Sequence, residues 1–151
     1  MLNNYDYLAQ TVNNAMRLVK PWDTETVAQF GSVVDYVNQM RTVDIRVPRQ
    51  CGKTKFLNNM FLRETSVFIH MRMQEQRFRS ELRKYTASNL AAQTVQKLVN
   101  EIHGMKSQSK IDYLLIDEPT RFKQIDINFL ILGIQLSDMI SDKFMVIKLG
   151  T

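Results

Sequence analysis

The sequence contains one cysteine and two histidines in 151 residues. A single thiol excludes an internal disulfide framework, and Cys51, His70 and His103 form no cluster with metal-ligand spacing. No apolar run approaches the ~20 residues that cross a bilayer. The polar start Met1-Leu2-Asn3-Asn4 lacks the charged and apolar regions of a secretory leader. Internal repeats, low-complexity tracts and long linkers are also missing. These absences predict a soluble, cytoplasmic chain without a resident metal cluster.

What is present fits one domain with its own core. Hydrophobic residues make up 44% of the chain and charged residues 23%, ordinary values for a globular protein. The net charge of +5 is unevenly placed: residues 1–45 hold three basic groups against five acidic ones, and the remainder holds 17 against 10. A basic main body suits a polyanionic partner such as nucleic acid, although many basic surfaces have no such role.

Periodicity divides the chain at about residue 41. Tyr5, Leu8, Val12, Ala15, Met16 and Val19 recur at helical spacing, and Pro21 ends that run. Asp23 or Thr24 can cap a second helix with Val27, Phe30, Val34, Val37 and Met40 on its apolar face. Residues 1–41 thus read as an N-terminal helical pair and 42–151 as the core of one domain. From there strands (about 42–47, 66–71, 111–116 and 143–149) alternate with helices (about 53–62, 73–84, 88–103 and 125–140). Strands separated by helices pair in parallel through crossovers, which predicts an α/β, three-layer fold with a short parallel sheet flanked by helices. Asp44 and Arg46 sit uneasily in that scheme, because they would place charge on one face of a first strand that is normally apolar on both. Either that face is open or the register differs.

Two segments carry chemistry. Pro48-Arg49-Gln50-Cys51-Gly52-Lys53-Thr54 lies between a predicted strand and a predicted helix, the context in which a glycine turn aims backbone N–H groups at phosphate oxygens. Lys53 would reach the β- and γ-phosphates and the Thr54 hydroxyl would ligate Mg²⁺. The full loop pattern is not met, since Val47 occupies the place of its first glycine, and G-K-T alone also opens ordinary helices. Further on, Tyr113-Leu114-Leu115-Ile116-Asp117-Glu118 runs four apolar residues into two carboxylates at a strand's carboxyl end, where α/β sheets bind ligands. Asp117 would hold the metal and Glu118 would polarise the attacking water. The pair's order and its separation of 64 residues give the chain room to bring the second segment back beside the first.

Val47 through Thr54 resembles the phosphate loop of the large terminase subunits, the viral (bacteriophage-type) DNA-packaging ATPases, whose loops commonly run P-R-Q-x-G-K-[ST] and lack the first glycine. The likeness covers about eight residues; Asp117-Glu118 and the strand–helix order match in type. It implies a P-loop fold of the additional-strand, catalytic-glutamate type, with ATP and Mg²⁺ as cofactors. Double-stranded DNA is the implied partner, with a homo-oligomeric ring or other packaging subunits, in host cytoplasm. By the same likeness Arg49 takes the place of the loop arginine that stabilises the γ-phosphate, and its fork of donors suits phosphate oxygens. Gln50 would shape the turn. The ATPase portion is short for that family, and the chain ends where the nuclease domain of a complete large terminase would begin or before.

Other features remain open between two readings. Arg72, Arg77, Arg79, Arg83 and Lys84 share one predicted helix that could track a nucleic-acid backbone, or be a solvated face with internal Glu–Arg pairs. Trp22 could stack on a base and Gln29 read its edge, or Trp22 could be a packing anchor. Thr151 ends the last strand, where a polar group could sense the γ-phosphate or be only a terminus. Cys51 fills the loop. Besides an ATPase, the sequence admits a non-catalytic nucleotide-binding or protein-interaction module and a small-molecule kinase.

Overall fold

The computed structural model describes residues 3–60, 66–70, 84–86 and 110–151. Helix α1 (Asn4–Leu18) opens on a reciprocal cap: Asp6 N–H donates to the Asn3 side chain and Asn3 N–H to the Asp6 carboxylate. Short helix α2 (Thr24–Gln29) is capped by Asp23, and α3 (Val33–Met40) by Ser32. The single helix expected over about 24–40 is therefore two. Gly31 sits at φ +80°, in the left-handed region that ends helices, and Ser32 restarts the next one.

Five parallel strands follow: β1 (Thr42–Arg46), β2 (Ser66–His70), β3 (Lys84–Thr86), β4 (Ile111–Asp117) and β5 (Ile140–Gly150), arranged β1-β5-β4-β2-β3. Helix α4 (Lys53–Met60) leads from β1 toward β2, and α5 (Gln124–Leu136) joins β4 to β5. Strand β3 was not expected. It places Lys84 in the sheet, paired with Phe68, and so corrects its assignment to a basic helix. The rest of that helix, with Arg72, Arg77, Arg79 and Arg83, and the helix expected over 88–103 lie outside the described residues.

Alternation along the strands builds two cores, one on each face of the sheet. Leu114, Ile116, Phe144 and Val146 point to one face, under α3 and α5, where they meet Val37, Ile127, Leu130, Ile131 and Ile134. Val43, Leu115, Ile147 and Leu149 point to the other, under α1 and α4, against Leu8, Val12, Phe56 and Leu57. The result is helix, sheet, helix: the three-layer α/β fold expected. Strand β5 is inserted between β1 and β4, the arrangement that the additional-strand form of the P-loop fold implies.

The charged pair on the first strand has a topological cause. Strand β1 is the sheet's edge among the described residues. Arg46 and Asp44 form an exposed ion pair at 3.4 Å, the kind of charge that discourages further strand addition. Lys148 is the register partner of Asp44 on β5. Burial pushes its ammonium below the usual pKa, with Asp44 partly offsetting, and its Nζ donates to Gln124 at 3.2 Å.

Candidate nucleotide site

Both chemical segments leave the sheet at the same edge. Val47 N–H donates to the Gly150 carbonyl and Glu118 N–H to the neighbouring Leu149 carbonyl, each at 2.8 Å. The exits of β1 and β4 are thus fastened to consecutive residues of β5. From its exit the chain after β1 curls through two left-handed residues, Gln50 at φ +63° and Gly52 at φ +82°. Gly52 then caps α4 by accepting the Phe56 N–H at 2.8 Å.

A residue that periodicity marks only as apolar supports this curl. Tyr5, on α1, lies against the loop: a Cβ on Gly52 would meet Tyr5 Cδ2 at 2.9 Å. Its ring also packs on Phe56 and under the Lys55 ammonium, and its hydroxyl accepts from Asn59 Nδ2 at 2.8 Å. Gly52 is therefore required twice, for its dihedral and for its missing side chain.

At the loop's end Lys53 and Thr54 meet the two carboxylates of β4. The Thr54 hydroxyl donates to Asp117 Oδ2 at 2.5 Å, and Lys53 Nζ lies 2.8 Å from Glu118 Oε1. Asp117 ends β4 on the face toward α4, and is only 6% exposed. Glu118, the next residue, is left-handed at φ +56°, although a proline follows it. That conformation is strained for a residue that carries a Cβ, and the following proline disfavours it further. It swings the Glu118 side chain off the strand, where Thr151 holds it: the Thr151 N–H and hydroxyl both donate to Oε2, at 3.3 and 3.2 Å. Burial pushes the Glu118 carboxyl up, but the Lys53 ammonium and the Thr151 donors outweigh it and hold the group below its ordinary value. It is ionised at neutral pH.

Mg²⁺ and a triphosphate fit this donor set. Thr54 and Asp117 offer hard oxygens side by side, as Mg²⁺ requires, and the curled loop meets a helix start beside a lysine, as phosphate requires.

The structure thus brings together Gly52, Lys53, Thr54, Asp117, Glu118 and Thr151. Arg49 and Gln50 are exposed on the loop, and the Arg49 guanidinium makes no ion pair among the described residues. Cys51 packs against the α1/α4 core.

Trp22 lies elsewhere, which corrects its assignment to a nucleotide base. Its ring meets Tyr36 edge-on at 4.9 Å and carries Arg41 over its face at 5.9 Å. Arg41 immediately precedes β1, whereas the loop follows it, so a strand's length of about 15 Å separates them. Trp22 there lines an open cavity of about 620 Å³ with Arg41, Tyr113, Lys143 and Met145. Arg41 itself is buried, donating to the carbonyls of Phe144 and Asp142 at 3.0 and 3.2 Å and to that of Lys20. Gln29 is exposed on α2, whose contacts run to Tyr36 of α3 through Asp23 and Phe30. No described contact carries Gln29 to the loop.

No family model matches the chain, and neither does any curated protein. Among solved structures it is similar to the structure of C. elegans PCH-2. That likeness has 16% identity and a TM-score of 0.43, and covers 97% of this chain and 36% of the other. At that TM-score the overlap adds nothing to the strand order described above. The likeness to packaging ATPases stands on the eight loop residues that carry it. No described helix is long and apolar enough to cross a membrane.

Proposed function

We propose that this chain binds a nucleoside triphosphate with Mg²⁺ and hydrolyses it. The observation that carries this reading is the meeting of Lys53–Thr54 with Asp117–Glu118 at one sheet edge, across the inserted strand. Thr54 and Asp117 would hold the metal, which when bound would neutralise charge on the phosphate oxygens.

The rest follows from the chain's own groups. Lys53 exchanges Glu118 for a phosphate oxygen, because a triphosphate offers its ammonium more negative charge than one carboxylate does. Glu118 Oε1 is then free, while Thr151 keeps Oε2 fixed. Being ionised, Glu118 accepts a proton from a water as that water's oxygen attacks the γ-phosphorus, and the bond to the diphosphate breaks. The backbone N–H groups of the curled loop orient the phosphates. Arg49, exposed beside the loop, supplies a further cation for the charge that develops.

The finer reading is an ATPase of the packaging type that acts on double-stranded DNA, alone in a ring or with other subunits. It is supported by the eight-residue loop likeness and by the basic balance of residues 46–151. Phosphate release from ATP, measured with and without long duplex DNA for the native chain and Lys53→Ala, tests both levels. Turnover that needs Lys53 and Mg²⁺ supports hydrolysis, and stimulation by DNA supports the finer reading. Nucleotide bound without any turnover would favour a non-catalytic module instead.

A further inference from the structure

Gly52 accepts the Phe56 N–H and so belongs to the first turn of α4. At about 100° per residue, Gly52, Lys55, Phe56 and Asn59 share one face of that helix, and Thr54 falls on nearly the opposite one. All four residues of the first face meet Tyr5. Its ring leaves no room for a Cβ on Gly52. It lies 6.2 Å from the Phe56 ring and 4.9 Å beneath the Lys55 ammonium, and its hydroxyl accepts from Asn59. Thr54 meets Asp117 on the other side. Tyr5 therefore backs the turn rather than lining the space between the loop and the two carboxylates.

The loop needs such a backing. Gln50 and Gly52 are both left-handed, and for Gln50, which carries a Cβ, that conformation has to be held by contacts elsewhere. Arg49 and Gln50 are themselves exposed, so the hold comes from Tyr5 on the glycine that ends the curl. The rest of α1 is anchored independently: Leu8 and Val12, about one and two turns further on, are buried in the same core, and among residues 3–7 Tyr5 is the one packed against it.

We propose that Tyr5 is a positioning residue for the nucleotide, and that α1 and the bound triphosphate are thermodynamically coupled through it. The inference rests on the nucleotide reading above and adds to it a regulation of that site by the N-terminal helix. The ring keeps the loop in the curl that aims its N–H groups at phosphate, and a triphosphate that fixes the loop fixes the first turn of α1 as well. The two effects are reciprocal by linkage. A loop that is curled only part of the time binds with its affinity reduced by that fraction.

Calorimetric titration of the full chain with Mg–ATP, joined to hydrogen exchange of the α1 amides, tests this. Tyr5→Ala should raise the Kd about tenfold. Tyr5→Phe keeps the ring and loses only the Asn59 bond, so it should stay within about twofold of native. Val12→Ala is the control: it opens a cavity under α1 away from the loop, and should lower the melting temperature while leaving the Kd unchanged. In the native chain Mg–ATP should slow exchange at Tyr7 and Leu8, whose amides close the first turns of α1, by at least ~threefold. Tyr5→Ala should abolish that slowing. The exchange measurement on native protein decides the coupling even where Tyr5→Ala fails to fold. A native chain that binds no nucleotide would remove the nucleotide reading, and this inference with it. Four results would overturn the coupling alone: native binding that Tyr5→Ala leaves intact, an equal loss in Val12→Ala, a Tyr5→Phe as weak as Tyr5→Ala, or α1 amides indifferent to Mg–ATP.

Discussion

Replacing Glu118 by glutamine should move binding and turnover in opposite directions. Without nucleotide, Glu118 and Lys53 form an ion pair at 2.8 Å, with side chains 22% and 13% exposed. Such a pair is stronger than the ~0.2–1 kcal/mol of a fully solvated bridge and well short of the ~3–5 kcal/mol lost when a buried one is broken. About 1 kcal/mol is therefore what a triphosphate must displace to reach Lys53. Glu118→Gln removes that competitor and one negative charge near the phosphates, so the Kd for nucleotide should fall about fivefold. The amide cannot take a proton from water, so turnover should drop by ~10²–10⁴. Calorimetric titration with ATP and a phosphate-release assay read the two effects separately. Weaker binding combined with retained turnover would refute the reasoning, since it would mean that Glu118 neither restrains Lys53 nor touches the water. Stability supplies an internal check. The folded Glu118 carboxyl is held below its ordinary value, so its contribution is complete above the unfolded pKa of about 4.3 and is lost as pH falls through the folded value. The melting difference between native and Glu118→Gln protein should be present at pH 7 and close in acid.

Other changes separate strain from contact. Gly52→Ala and Gly31→Ala both force alanine to φ near +80°, but only the first meets Tyr5; Gly31→Ala should cost about 1 kcal/mol in a denaturant titration and leave nucleotide affinity unchanged, and Gly52→Ala should cost more and weaken affinity. Arg41→Met strips three backbone carbonyls of their donor beneath Trp22. It should destabilise the fold by roughly 3 kcal/mol, read by urea unfolding, with no change in nucleotide Kd at temperatures where the variant is folded. Thr151→Val keeps the N–H donor to Glu118 and loses the hydroxyl, so turnover should fall by about three- to tenfold with the melting temperature unchanged.

Local pattern revealed much of the fold. The alternation of Val43, Ile45 and Val47, the apolar run into Asp117, and the loop between β1 and α4 are all properties of short windows, and the structure places strands and helices there. Strand β3 escaped because Lys84-Tyr85-Thr86 is three residues long and polar at both ends, with no period to detect. The break at Gly31 was visible as a Gly-Ser pair, but the apolar spacing from Val27 to Met40 ran through it. Trp22 precedes the loop closely in sequence, but β1 carries the chain from one end of the sheet to the other, and nothing local to Trp22 shows that. Tyr5 and Gly52 touch across 47 residues, and Thr151 reaches Glu118 through the pairing of β5 with β4. Neither contact leaves a trace in local composition.

Strand β5 has one consequence beyond filling the sheet. Two strand spacings of roughly 4.8 Å make it a ruler of about 10 Å between the lysine-bearing exit and the carboxylate-bearing one. Both exits hang on its adjacent carbonyls, those of Gly150 and Leu149. A ligand that draws the loop inward therefore tugs, one peptide unit away, on the hook that aims Glu118. Lengthening or trimming β5 by one residue would turn its side chains to the wrong faces and detune both grips together, leaving every residue of the site present and none in step.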